Sequence, residues 1–227
     1  MAREAHSFPG LFSFMAELLP LFLDLAGRDV LLVGGGPVAQ TKLRSLLAAG
    51  AHVRLVAPEV GSDAAAVPNG DGSLVIERRP FAASDLDGAW LVVAAATPAV
   101  NRQVAHAAQS RRVFVNAVDD PGNATAYLSG VVRRGGVTLA ISTSGDAPAL
   151  TALLREALDA LLPADLDAWL EMARDERRIW RRGGVPMDAR KPRLLQALNE
   201  RYDAARASRP APEATVPWLN GPEDSWL

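Results

Sequence analysis

The stretch RDVLLVGGGPVAQTK, residues 28–42, decides how the rest of this chain is read. Residues 28–33 form a short apolar strand that runs straight into three glycines and then into a helical pattern. Gly34, Gly36 and Ala39 fill the small positions of G-x-G-x-x-(G/A), a turn that holds a dinucleotide when a strand precedes it and a helix follows. Gly34 permits the tight turn, Gly36 lets backbone N–H groups approach a pyrophosphate, and Ala39 lets the helix pack closely on the sheet. Pro37 suits a first helical position, and Leu43, Leu46 and Leu47 supply an apolar face. The helix start then directs free N–H groups and the positive end of its dipole at an anion.

Working outward, the helix over 37–49 ends at Gly50, and residues 52–57 form a second strand, closing a βαβ unit. An acid that would hold a ribose is missing at the end of that strand; the nearest is Glu59, after Pro58, which leaves NAD against NADP open on physical grounds. Arg54 favours either a 2′-phosphate or, more simply, solvent. Residues 74–77 are a short strand, and 89–96 read as a central parallel strand buried on both faces. Thr97 follows at the carboxyl end, where open α/β sheets bind ligands, and serves either the cofactor or the N-cap of a helix over 98–110. A last parallel strand covers 113–116.

The alternation then stops. Residues 124–132 and 137–143 read as two strands joined through Arg133, Arg134, Gly135 and Gly136. Helices follow from Pro148, over 165–181, and over 190–205 opened by Pro192. The expected fold class is α/β, a Rossmann-type parallel sheet followed by a small β region and a C-terminal helical domain. The expected boundaries are 1–115 for the dinucleotide-binding domain with an N-terminal extension, 116–146 for the β region, 147–206 for the helices and 207–227 for a disordered tail.

Among 227 residues about half are apolar, enough for a proper core, and a formal charge of −2 gives no general pull toward nucleic acid or anionic membrane. Cysteine is absent, which excludes disulfides and thiolate metal sites and suits a cytoplasmic enzyme. Residues 11–26 are strongly apolar, but Glu17, Pro20 and Asp24 interrupt them, so they read as an extension packed on the domain rather than a membrane span.

Asp119 is the leading catalytic candidate. It follows the last parallel strand, beside the nicotinamide end of a bound dinucleotide, where a carboxylate can act as a general base. The competing reading is that Asp119 and Asp120 only open a D-D-P-G turn. Asn116 either orients a substrate or caps the strand end. Arg174, Arg177, Arg178, Arg181 and Arg182 could bind a polycarboxylate, although the usual explanation of such a run is a solvated helical face, and Arg133 and Arg134 carry the same two readings. His6, His52 and His106 show no metal-ligand spacing, so no metal site is expected.

Three segments taken together resemble the precorrin-2 dehydrogenase family, the dehydrogenase and chelatase module of siroheme synthase. They are L-x-G-R-x-V-L-x-V-G-G-G-x-V-A, N-x-V-D-x-P and I-S-T-S-G-x-x-P-A-L, in that order across about residues 20–205. The resemblance implies NAD-dependent oxidation of precorrin-2 to sirohydrochlorin, by loss of a hydride and a proton. It places the family's essential aspartate on Asp119 and its dinucleotide contacts on Pro37, Val38, Pro58 and Glu59, so that the missing strand-end acid becomes a family trait. It also implies a homodimer formed through residues 116–145, which makes the small β region a dimerisation region, and C-terminal helices that cover the tetrapyrrole. Three departures stand out: the methyltransferase half is absent, the loop after Thr97 is short, and Thr41 stands where the family has arginine before Lys42. Some members insert iron into sirohydrochlorin and others do not. The alternative function is a redox-sensing Rossmann regulator that binds NAD or NADH and a partner, without tetrapyrrole turnover.

Overall fold

The computed structural model describes residues 18–64, 72–128 and 130–207. Five parallel strands form the first sheet: β1 (Asp29–Val33), β2 (His52–Val56), β3 (Ser73–Glu77), β4 (Leu91–Ala94) and β5 (Phe114–Ala117). Their order is β3-β2-β1-β4-β5, so the winding reverses between β1 and β4 and leaves a crevice at the carboxyl ends of those two strands.

Alternation along each strand sorts the core into two layers. Val30, Leu32, Val53, Leu55, Leu91 and Val93 face α1 (Pro37–Ala48), against Ala39, Leu43, Leu46 and Leu47. Leu31, Val33, Val92, Ala94, Val115 and Ala117 face the other way, with Leu86 and with Val104 and Ala108 of α2 (Pro98–Arg111). Burial on both faces is why the β1 and β4 sequences are unbroken apolar runs. Leu31 and Leu32 are 0% exposed, and burial of each contributes about 2 kcal/mol. Of the described part of the N-terminal extension, only Leu25 enters this core; Leu19, Leu21 and Phe22 are exposed, which corrects the expectation that the segment packs down. Residues 1–17 and 208–227, including most of the expected tail, lie outside the described residues.

Arg54 neither points to solvent nor stands free for a phosphate. Its guanidinium donates to the carbonyl oxygen of Asp85 at 2.6 Å. Asp85, 3% exposed, accepts from Arg79 at 2.6 and 2.8 Å and from the N–H of Ala82 at 2.9 Å. The Arg79 hydrogen bonds hold its carboxyl below the usual carboxylate range against the opposing effect of burial.

Beyond β5 the expected strand over 124–132 is corrected. Residues 124–128 are a strap along the β5 edge, in which the Thr125 and Ala126 N–H groups donate to the carbonyl of Val115 at 2.8 and 2.9 Å. Strands β6 (Gly130–Arg134) and β7 (Val137–Ile141) form a hairpin whose turn is Gly135–Gly136 alone, with Arg133 and Arg134 inside β6. Helices α3 (Pro148–Leu161), α4 (Leu166–Arg182) and α5 (Met187–Ala207) follow. Pro192 lies inside α5 rather than opening it.

The chain divides into two compact units. The first comprises the chain to Gly130 together with Ala140–Arg155, and the second comprises Val131–Leu139 and the chain from Glu156 onward. The β region expected at 116–146 is therefore shared between units, because its ends belong with the parallel sheet. In the second unit Trp169 meets Tyr202 edge-on at 5.7 Å, Leu166, Trp180 and Val185 are buried, and a Cβ on Gly135 would fall 2.3 Å from the Asp167 nitrogen.

Candidate functional site

Three glycines with three different constraints form the turn after β1. Gly34, at φ +122°, lies so close to the end of β4 that a Cβ would sit 2.2 Å from the Ala95 carbonyl oxygen. A Cβ on Gly35 would sit 2.0 Å from the Glu59 carbonyl oxygen. Gly36 is unlike both. Its backbone is ordinary (φ −80°, ψ −178°) and a Cβ there would meet nothing within 4 Å. No neighbour among the described residues requires glycine at this position, so the open space fits an external group that approaches the backbone. Gly36 is also the N-cap of α1; Pro37 has no N–H, and the Val38 and Ala39 N–H groups head the helix without intrahelical acceptors. A pyrophosphate fits this cradle.

Pro58 and Glu59 are exposed immediately after β2, against the glycine turn. Arg78 donates to the Val60 carbonyl at 3.2 Å and fixes the same loop. Thr97 occupies the N-cap position of α2 without a capping side-chain bond, and its carbonyl accepts from the Asn101 N–H at 2.9 Å. Both Thr97 and Val38 are exposed.

Asn101, a buried residue the sequence reading overlooked, ties the ends of β4 and β5 together. Its Oδ1 accepts from the Ala96 N–H at 3.1 Å, and its Nδ2 donates to the Val118 carbonyl at 3.5 Å. The next residue, Asp119, is exposed at φ +55°, a left-handed conformation that non-glycine residues adopt rarely and that favours functional sites.

Asp119 borders a cavity of about 370 Å³ within the first unit. Its wall includes Lys42 of α1, Asn116 of β5, Asp120, Ser142, Thr143 and Arg155. Thr143 anchors the far side: its hydroxyl lies 3.0 Å from that of Thr151 and accepts from the Ala147 N–H at 3.2 Å. Asn116 is 7% exposed; its Nδ2 donates to the Ala126 carbonyl at 3.0 Å, while its buried Oδ1 has no partner among the described residues. Burial pulls the Lys42 ammonium below the usual lysine range, with the charge of Asp119 opposing.

The other basic candidates serve their own unit. Arg134 donates to Asp159 at 2.8 Å and to the Leu162 carbonyl at 2.7 Å, so its fork is engaged in the fold. Arg133 is exposed on β6. The α4 arginines 174, 177, 178 and 181 share their surface with Glu171 and Asp175, and Arg178 pairs with Asp175. Among the described residues no group of three or more His, Cys, Asp or Glu is placed to hold a metal ion, and no helix is long and apolar enough to cross a membrane.

Comparison with known proteins adds an independent line. Residues 21–130 match an NAD(P)-binding family, and residues 134–161 match the central region of sirohaem biosynthesis proteins. Siroheme synthase 3 of Aeromonas hydrophila is 44% identical over 153 residues, 67% of this chain and 32% of that protein. Siroheme synthase 1 of the same organism is 37% identical over 215 residues, 92% of this chain and 46% of that protein. This chain therefore spans less than half the length of these relatives. The solved structure of SirC, precorrin-2 dehydrogenase, superposes with a TM-score of 0.62 at 27% identity, over 79% of this chain and 88% of that one.

Proposed function

The chain belongs to the family of the dehydrogenase module of the siroheme synthases, and we propose from that premise that it oxidises precorrin-2 to sirohydrochlorin with NAD. The observation that carries the reading is the left-handed Asp119 just after β5, lining a cavity, at the same carboxyl end of the parallel sheet as the glycine cradle after β1.

Gly34, Gly36, Pro37 and Val38 would hold the pyrophosphate, Pro58 and Glu59 the adenosine side, and Thr97 the region after β4. Glu59 supports NAD over NADP, because a carboxylate accepts from a ribose hydroxyl and repels a 2′-phosphate, while Arg54 is engaged by Asp85. NAD, when bound, supplies the acceptor for the hydride. Asp119 takes the proton that the same substrate loses, so that precorrin-2 and NAD⁺ give sirohydrochlorin, NADH and H⁺. Asn116 orients the substrate; in the second unit Arg133 is exposed on β6, and Arg134 is engaged by its bond to Asp159. The exposed Leu150, Leu153 and Leu154 of α3 support a homodimer, which would cover apolar surface otherwise in water. The reaction is proposed to be cytoplasmic.

Purified protein with NAD should convert precorrin-2 to sirohydrochlorin, followed by absorbance. Asp119→Ala should reduce turnover by roughly a hundredfold or more while NAD binding is retained. Undiminished turnover in that variant removes Asp119 from the reaction. Whether the chain also inserts iron is a separate measurement: the rate of metal insertion into sirohydrochlorin with ferrous ion, with and without protein.

A further inference from the structure

We propose that Lys42 binds the substrate, its ammonium pairing with a carboxylate of the tetrapyrrole in the Asp119 cavity; this rests on the reading of the chain as a precorrin-2 dehydrogenase.

The position of Lys42 in α1 is the first argument. It lies three residues after Ala39 and four before Leu46, both buried, so helical geometry places it on the inward stripe among core residues rather than on the solvated face of Thr41, Arg44 and Ser45. There it is half-buried in the cavity wall. Among the described residues its ammonium makes no hydrogen bond and no salt bridge, and a desolvated cation without a partner is costly to keep. Asp119 is near enough to oppose the effect of burial, but it makes no ion pair with Lys42.

A second group points the same way with the opposite hydrogen-bonding sense. Asn116 lines the same wall; its buried Oδ1 has no donor among the described residues, while its amide nitrogen is bound to Ala126. The cavity wall thus holds a half-buried cation and a residue with a buried acceptor, neither with a partner among the described residues. A ligand carrying only carboxylates would satisfy one, and an apolar ligand neither. A polycarboxylate tetrapyrrole, with ring N–H groups and acidic side chains, satisfies both.

The test compares wild type, Lys42→Gln and Lys42→Arg in the full chain. Sirohydrochlorin is titrated by fluorescence quenching, NAD affinity is measured separately, and precorrin-2 kinetics are followed by absorbance. Loss of a charge-assisted bond should weaken sirohydrochlorin binding and raise KM in Lys42→Gln by roughly tenfold or more, with kcat and NAD affinity nearly unchanged, and Lys42→Arg should restore most of the affinity. Unaltered sirohydrochlorin affinity in Lys42→Gln overturns the proposal. So does a loss confined to NAD affinity, or a fall in kcat with substrate affinity intact, which would make Lys42 act through Asp119. If the wild type itself fails to turn over precorrin-2, the functional reading falls and takes the anchor with it; if the wild type turns over and the Gln variant binds equally well, only the anchor falls.

Discussion

Adding one methyl group at each glycine of the turn after β1 separates a ligand constraint from a folding constraint. At Gly36 the added Cβ would meet nothing within 4 Å and the backbone is at φ −80°, so Gly36→Ala introduces no clash and no strain. Alanine gains roughly 0.4–1 kcal/mol by restricting the unfolded chain. It loses a comparable amount because it is a poorer N-cap than glycine. The net change in stability should therefore stay within about 0.5 kcal/mol. Gly34→Ala and Gly35→Ala place the Cβ 2.2 Å and 2.0 Å from backbone carbonyl oxygens, where the neighbour cannot yield as a side chain would, and Gly34 adds a positive φ. Each should cost about 3 kcal/mol or more, roughly 10 °C of melting temperature for a chain of this size. If the pyrophosphate lies as proposed, the Gly36→Ala methyl obstructs its approach and should weaken NAD binding by roughly tenfold or more, in a protein as stable as the wild type. Calorimetric titration with NAD and denaturant unfolding of the three variants measure both axes. Wild-type NAD affinity in Gly36→Ala, or destabilisation comparable to that of Gly34→Ala, would refute the assignment of this open space to the cofactor.

Three further outcomes follow from side chains already placed. Asp85→Asn should destabilise the first unit by about 2 kcal/mol at neutral pH, because it weakens a buried carboxylate's bonds to Arg79. Since the folded carboxyl titrates below its unfolded value, that stabilisation is present above about pH 4 and is lost as pH falls through the folded pKa, so the variant's stability should depend less on acid; an identical acid limb in urea unfolding counts against this. Arg134→Ala should cost the second unit about 1 kcal/mol and leave KM for precorrin-2 unchanged; a raised KM would return Arg134 to the substrate contacts. Lys42, faced in its cavity by Asp119, Asp120 and Arg155, has its proton held less tightly than usual, so sirohydrochlorin affinity should decline with rising pH before ordinary lysines titrate, and should stay flat over that range in Lys42→Arg. By the same sign, the charged form costs the folded state stability at neutral pH that returns as pH rises, and Lys42→Met should be neutral or stabilising.

Much of the first unit was legible because its constraints leave a mark on residue type at the position itself. Val30–Val33 and Leu91–Ala94 are apolar at every position because a parallel strand covered on both faces has no wet side, and the glycine turn follows from the backbone contacts after β1. The segment 124–128 misled because its residues are strand-like in type, but Thr125 and Ala126 both donate to a single carbonyl, that of Val115, and do not extend a ladder. Arg54 misled because its partner, the Asp85 carbonyl, lies 31 residues away. Pro192 was read as a helix start; α5 instead begins at Met187 and continues through the proline, forgoing one backbone bond.

The candidate site was only half legible: Asn116 was named from the sequence, whereas Lys42, Asp85 and Asn101, which share its signature, were not. Lys42, Asp85, Asn101 and Asn116 are all polar groups set among core positions of the first unit, and the chain treats them differently. Asp85 is satisfied by Arg79 and the Ala82 N–H, and Asn101 by Ala96 and Val118, so both are explained by the fold they hold together. Asn116 is satisfied at its nitrogen and not at its oxygen, and Lys42 at neither backbone nor side-chain partner among the described residues. Sequence periodicity could have flagged Lys42, a charge on an apolar stripe, but could not have told it from Asp85, because the difference lies in long-range partners. A buried polar group that the protein completes is structure. Asn116 leaves a buried acceptor open and Lys42 a half-buried cation without a protein partner among the described residues, both in the cavity wall beside Asp119, and a ligand that can give a hydrogen bond and carry a negative charge would complement the pair.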